Sequence, residues 1–355
     1  MGIYVTKPFL PPVEEYEQYV REIYERDILT NQGPCVQKLE RKLADFLQAT
    51  HFHYVTNGTI ALQLALKALD ITEGEIITTP FSYVATVSSI LWERCTPVFV
   101  DIEPNNFTID AEKIERAITP RTKAVLGVHV FGYACDVEGI KEIANKHGLR
   151  VIYDGAHAFA SRYKGRSLLG YGDVSTCSFH ATKLFHTIEG GACITENAET
   201  AARLDLLRRF GNIGDEYPLP GINGKQTEFN AAMGLANFDH LAEILAARKH
   251  ISELYDSLLS GNIRRPKKQE GLEYNYAYYP AVFADEEKLL AAFKRLGDRD
   301  IFPRRYFYPS LNRLPYLAAT DSCPVSEDIS RRIACLPLYP GLKDEEVRTI
   351  CEVLS

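Results

Sequence analysis

The sequence predicts an α/β fold, in which a mostly parallel sheet is covered by helices and followed by a smaller C-terminal α/β domain. Three observations predict it. Short apolar, β-branched runs recur along the first part of the chain, the segments between them carry helical periodicity, and the composition changes beyond about residue 260. Strand-like runs alternating with helical segments are the signature of crossover units in a parallel sheet.

The strand-like runs fall at 75–79, 97–102, 124–131, 150–154, 174–179 and 192–195. Residues 60–69 are apolar almost all round, which suits a helix buried against such a sheet. Segments 110–118 and 136–147 are amphipathic, and each begins with an aspartate suited to capping a helix. A long helical pattern over 227–259 leads out of this region. Beyond it come a strand-like run at 278–283, a helix near 286–296 and a Pro-, Tyr- and Arg-rich stretch at 303–316. This division predicts a large domain over 1–240 and a small one over 241–355.

At 355 residues, 46% hydrophobic and 25% charged, the chain has the length for two domains and enough apolar material for a large core. Forty basic residues against 47 acidic ones give a net charge of −7, which offers nothing to a nucleic-acid backbone or an anionic membrane. The first residues do not read as a secretion signal, and no run approaches the ~20 apolar residues needed to span a bilayer, so a cytosolic protein is expected. The eight cysteines are widely spaced without a Cys-x-x-Cys pair, which predicts reduced, buried thiols. No His-Glu-x-x-His motif is present, and no metal is expected.

Four features carry chemistry. Thr56-Asn-Gly-Thr59 closes a short strand and opens the helix at Ile60, so free N–H groups would face an anion there, although Asn, Gly and Thr are also ordinary capping residues. Asp154 ends the apolar run Arg150-Val-Ile-Tyr-Asp154, the place where open parallel sheets bind ligands. Lys183 ends Ser178-Phe-His-Ala-Thr-Lys183, which follows another strand. Glu189-Gly-Gly191 makes a tight turn into the next strand, most simply because glycine tolerates the dihedrals. Taken singly, each has a structural explanation. Together they suit a pyridoxal phosphate enzyme: an amine for the Schiff base, a turn for the phosphate and a carboxylate for the protonated ring nitrogen.

The motifs Thr56-Asn-Gly-Thr-Ile-Ala-Leu62, Pro80-Phe-Ser-Tyr-Val-Ala-Thr86, Tyr153-Asp-Gly-Ala-His-Ala-Phe159 and Ser178-Phe-His-Ala-Thr-Lys183 with Glu189-Gly-Gly191 resemble the DegT/DnrJ/EryC1/StrS sugar aminotransferases. The resemblance runs from Leu29 to Pro340. It implies the aspartate aminotransferase fold, called fold type I, and a homodimer with shared active sites. It makes Lys183 the cofactor-binding lysine and Asp154 the partner of the pyridine nitrogen. Tyr83 takes the position that stacks on the ring, and Gly58, Thr59 and Ser178 the phosphate cradle, completed by Asn230 from the other subunit. His157 stands where many relatives carry glutamine near the ring hydroxyl, which leaves its contact open.

The resemblance also implies L-glutamate as donor, pyridoxamine phosphate as the intermediate cofactor form and a nucleotide-linked keto-deoxysugar as acceptor. His180 with Glu189-Gly-Gly191 is similar to members acting at C4 of a 4-keto-6-deoxyhexose, and the whole pattern to those forming dTDP-4-amino-4,6-dideoxyglucose (viosamine) from dTDP-4-keto-6-deoxyglucose, for surface polysaccharide or glycoside synthesis. Arg304, Arg305, Tyr308 and His180 are the candidate substrate residues, the arginines as partners for a diphosphate. The alternatives are an enzyme acting at C3, or a non-catalytic regulatory member, whose mark would be loss of the lysine or aspartate. Relatives that act as dehydratases carry histidine where this chain has Lys183.

Overall fold

Seven short strands gather into one sheet: β1 (His51–Val55), β2 (Glu75–Thr78), β3 (Thr96–Phe99), β4 (Thr122–Val128), β5 (Arg150–Asp154), β6 (Val174–Ser178) and β7 (Gly191–Thr195). Their spatial order is β1-β7-β6-β5-β4-β2-β3. The five strands from β6 to β3 are parallel, whereas β7 runs antiparallel to both of its neighbours. This is the predicted mostly parallel sheet, and the computed structural model describes residues 2–259, 261, 263–317 and 321–354 of the chain.

The strands are apolar because both faces are covered. All of β2 and all of β7 are buried. The helix Gly58–Ala68 buries Ala61, Leu62, Leu64, Ala65, Leu66 and Ala68, so the all-round apolar pattern marks a helix enclosed between sheet and outer helices. By contrast, Val137–His147 buries only Val137, Ile140 and Ala144, one stripe at helical spacing. Asp136 caps it by accepting the Gly139 N–H at 3.0 Å.

Some boundaries move. The 110–118 helix is shorter than predicted: Ala111–Ile114 passes into a single 3-10 turn at Glu115–Ala117, and Ile118 is already extended two residues before Pro120. The apolar run at 124–131 leaves the sheet after Val128, because Phe131 adopts a left-handed φ of 54° and folds the chain back. The 227–259 pattern is two helices, Glu228–Asp239 and Leu241–Leu258, meeting at His240.

Toward the C-terminus, Tyr279–Val282 pairs antiparallel with Ile333–Leu336. A separate hydrophobic cluster packs Tyr255, Leu289, Leu296, Val347 and Ile350 around that pair. The N-terminal strand Ile3–Tyr4 joins this part of the molecule by pairing with Ile301–Phe302. All eight cysteines are buried. No described helix is long and apolar enough to cross a membrane.

Candidate active site

Strand register builds the site. Asp154, the last residue of β5, lies level with Val128 of β4 and Thr176 of β6, and Gly191 of antiparallel β7 pairs with both Val55 and Ser178. The ends of β1, β5 and β6 and the start of β7 therefore meet at one edge of the sheet. A cleft of about 440 Å³ opens there, lined among others by Gly58, Asp154, Ser178, Lys183, Tyr278 and Arg304.

The helix Gly58–Ala68 points its N-terminus into this cleft. Asn57 caps it by accepting the Ile60 N–H at 2.9 Å, which leaves Gly58 and Thr59 without intrahelical acceptors. Side-chain bulk is excluded here: a Cβ on Gly58 would stand 3.0 Å from the Ser178 Cβ. The Gly-Gly pair has a different cause from the one the sequence suggests. Neither Gly190 nor Gly191 has a positive φ. A Cβ on Gly191 would overlap the backbone carbonyl of Asn57, and one on Gly190 the Thr187 hydroxyl. Gly191 is needed for the close approach of two backbones, one of which carries the anion-facing turn, and Gly190 for the room taken by neighbouring side chains.

Lys183 rides on the loop between β6 and β7. That loop is pinned at its base by Phe179 N–H to the Gly190 carbonyl (2.8 Å) and Thr187 N–H to the Phe179 carbonyl (2.9 Å). Phe179 and Phe185, on either side of the lysine, are buried and meet edge to face. The Lys183 Nζ lies 3.5 Å from the Tyr278 hydroxyl. Burial lowers its basicity below the ordinary lysine range, opposed mainly by the negative charge of Asp154. The Asp154 carboxylate is itself buried; it accepts from the Thr86 hydroxyl at 2.8 Å and from the Ala156 N–H at 3.1 Å.

His157 lies near-parallel to the rings of Phe131 and Phe307, the three forming a triangle with centroids 5.6–6.0 Å apart, and it touches Tyr278. Burial, reinforced by Lys183, holds its pKa well below the usual histidine value, so the ring is neutral. Its Nδ1 accepts the Phe131 N–H at 3.1 Å. The ring proton is thereby placed on Nε2, which is free to donate. Tyr83 stands exposed on the rim at the start of the helix Val84–Trp92. His180 also lines the cleft, with Nδ1 accepting the Thr182 N–H and Nε2 3.5 Å from Glu189.

Not every candidate converges. Arg304 reaches the cleft, its guanidinium 5.0 Å from the centre of the Tyr306 ring. Arg305 does not: Glu286 and the Arg331 carbonyl hold it at 2.7 Å each, and Tyr308 stacks on it outside the cleft. Asn230 lies on the helix Glu228–Asp239 and donates to the Thr187 and Glu189 carbonyls of its own chain. The site residues that sequence reading missed are Ser82, Thr86 and Tyr278. Ser82 and Thr86 carried a signal, two hydroxyls one helical turn apart, whereas Tyr278 is 95 residues from Lys183 and carried none.

These groups fit a phosphorylated aromatic aldehyde with a basic ring nitrogen. The helix N-terminus suits the phosphate, the Lys183 amine the aldehyde and the Asp154 carboxylate the nitrogen. The sequence matches the DegT/DnrJ/EryC1/StrS aminotransferase family over residues 12–355. It is 42% identical to a dTDP-4-amino-4,6-dideoxy-D-glucose transaminase of Escherichia coli, covering 99% of this chain and 97% of that one. It is 40% identical to the Shigella dysenteriae enzyme of the same name, covering 99% and 98%. The fold superposes on a crystal structure of DesI with its TDP-sugar product at a TM-score of 0.94 and 29% identity, covering 99% of this chain and 92% of that one.

Proposed function

The chain belongs to the DegT/DnrJ/EryC1/StrS aminotransferase family, and on that premise we propose that it transfers the amino group of L-glutamate to the C4 keto group of dTDP-4-keto-6-deoxyglucose, using pyridoxal phosphate. The observation that carries this reading is the convergence of Lys183, Asp154 and the Gly58 helix terminus on one cleft. The choice of sugar and nucleotide rests on the two transaminases at 42% and 40% identity.

When bound, pyridoxal phosphate supplies an electron sink for the charge left when a Cα–H bond breaks. Gly58, Thr59 and Ser178 would hold its phosphate, Tyr83 would cover its ring, and the Nε2–H of His157 would donate to its ring hydroxyl. Asp154 would keep the proton on the ring nitrogen. The Lys183 amine takes the proton from Cα of glutamate in one half-reaction and delivers a proton to C4 of the hexose in the other. Its depressed basicity favours the neutral amine that the first step requires. Arg304 gives the cleft a cation for an anionic substrate. His180 and Glu189, at the same cleft, would meet the sugar.

A second copy of the chain completes this picture. Phe210, Ile213, Tyr217 and Ile222 leave large apolar surfaces exposed within one short stretch, which suits a homodimer interface. The product would serve surface polysaccharide synthesis in the cytoplasm.

Lys183→Ala is the direct test. The variant is expected to fold, to lose attachment of the cofactor on borohydride reduction and to lose turnover by at least about 1,000-fold. Retained turnover near the wild-type rate would remove the lysine from the chemistry. The wild-type protein, loaded with pyridoxamine phosphate, should return to the aldehyde spectrum with dTDP-4-keto-6-deoxyglucose and not with a 3-keto isomer; the opposite preference would move the reaction to C3.

A further inference from the structure

Resting on the reading of Asp154 as partner of the cofactor ring nitrogen, we infer that Thr86 is a positioning residue that aims the Asp154 carboxylate, with Ser82 fixing the direction of the Thr86 hydroxyl. Three contacts define the arrangement. Asp154 Oδ1 accepts the Ala156 N–H at 3.1 Å, Oδ2 accepts the Thr86 hydroxyl at 2.8 Å, and the Thr86 and Ser82 hydroxyls are 2.7 Å apart.

Chemistry sets the polarity of this chain. An ionised carboxylate only accepts, so Thr86 must donate its single hydrogen to Asp154. At the second contact Thr86 can then only accept, and Ser82 must donate. The hydroxyls have one permitted order, running toward the carboxylate. Thr86 is fully buried and Ser82 is nearly so, at 3% exposed, and no other side chain donates to the Asp154 carboxylate among the described residues.

The backbone makes the aim rigid. Thr86 lies in the first turn of the helix Val84–Trp92, its N–H held by the Tyr83 carbonyl, and Ser82 stands just ahead of the cap residue Tyr83. That helix follows β2, and Asp154 ends β5, so the contact ties two crossover units together directly behind the cleft. An aspartate at a strand end is free to turn about two side-chain bonds. Bonds to both of its oxygens, one from each side, leave it a single orientation, and a charged N–H···O contact depends steeply on orientation.

The test uses the 355-residue protein stripped of cofactor and titrated with pyridoxal phosphate, with circular dichroism melts to establish that each variant is folded. Thr86→Val keeps the shape and removes the donor. It is expected to weaken cofactor binding by about 10-fold, the scale of one hydrogen bond to a charged group. It should also shift the pH titration of the bound absorbance band and lower kcat more than it raises KM for glutamate. Thr86→Ser, which keeps the hydroxyl, should restore all three, and Ser82→Ala should fall between. Should Thr86→Val fail to fold, Ser82→Ala carries the same readouts.

Wild-type affinity and an unshifted absorbance titration in Thr86→Val would overturn the inference while leaving the cofactor reading intact. Equal damage in Thr86→Val and Thr86→Ser would overturn it as well, because the methyl packing would then be responsible. A wild-type protein that takes up no cofactor, or an Asp154→Asn variant with wild-type affinity and spectrum, would instead sink the reading on which the inference stands.

Discussion

The neutral ring of His157 shows how a single residue acquires a direction from its surroundings. Phe131 turns its N–H toward Nδ1 through a left-handed φ of 54°, an unusual conformation for a bulky residue, and the imidazole lies near-parallel to the neighbouring Phe131 and Phe307 rings. His157→Phe would keep the stacking but leave the Phe131 N–H buried without an acceptor and the cleft without a donor. Cofactor affinity is expected to fall about 10-fold and the melting temperature to drop, while His157→Gln, which retains a donor, should recover most of the affinity. Equal affinities in a fluorescence titration of the two variants would show that Nε2–H donates nothing. Asp154 and the 56–59 turn were legible in the sequence because each sits at the end of a strand and bears a functional group, and Lys183 because it rides on the loop that follows one. Thr86 and Tyr278 were less so, because their roles come from what the fold sets against them. Asn230 illustrates the same limit: its amide is occupied by the Thr187 and Glu189 carbonyls, and it would have to give up one of them to reach a phosphate on a second copy.

At the scale of elements, Gly191 at the start of β7 sets how closely that strand approaches the anion-facing turn. Gly191→Ala would push a methyl into the Asn57 carbonyl, which is backbone and cannot rotate away. The variant is expected to lose about 2–4 kcal/mol of stability, in the range of overpacked sites, together with most of its cofactor affinity. A urea titration and a cofactor titration would check both, and an unchanged midpoint would mean that the turn can retreat without cost. The order of strands and helices followed from periodicity, since apolar runs and capping aspartates are local signals. The early end of β4 was not visible, because one left-handed residue overrides the local pattern, whereas the shortened helix at Ala111–Ile114 carried a signal in Pro120.

For the whole molecule, acid sensitivity follows from histidines buried in neutral form. Burial pushes His129 down to about 3, and burial with the nearby Arg208 charge does the same to His53, whose ring nitrogens are shut off from solvent. In the unfolded chain both take up protons below about pH 6.5, while the folded protein leaves them neutral until about pH 3. Unfolding therefore binds protons in that window. Stability is fully present above pH 6.5 and falls as the solution is acidified, by up to about 1.4 kcal/mol per pH unit for each histidine. Urea midpoints measured from pH 7.5 to pH 5 should show this slope, and His53→Phe should flatten it by about one proton; a midpoint independent of pH would refute neutral burial. The sequence by itself determined the α/β class, the order of the elements and the chemical types at the strand ends, because these depend on neighbours a few residues apart. Only the tertiary structure decided which of those groups share a cleft, why Gly191 stands at the head of β7, and which groups the Asp154 and His157 side chains meet, because strand register joins residues far apart in the chain.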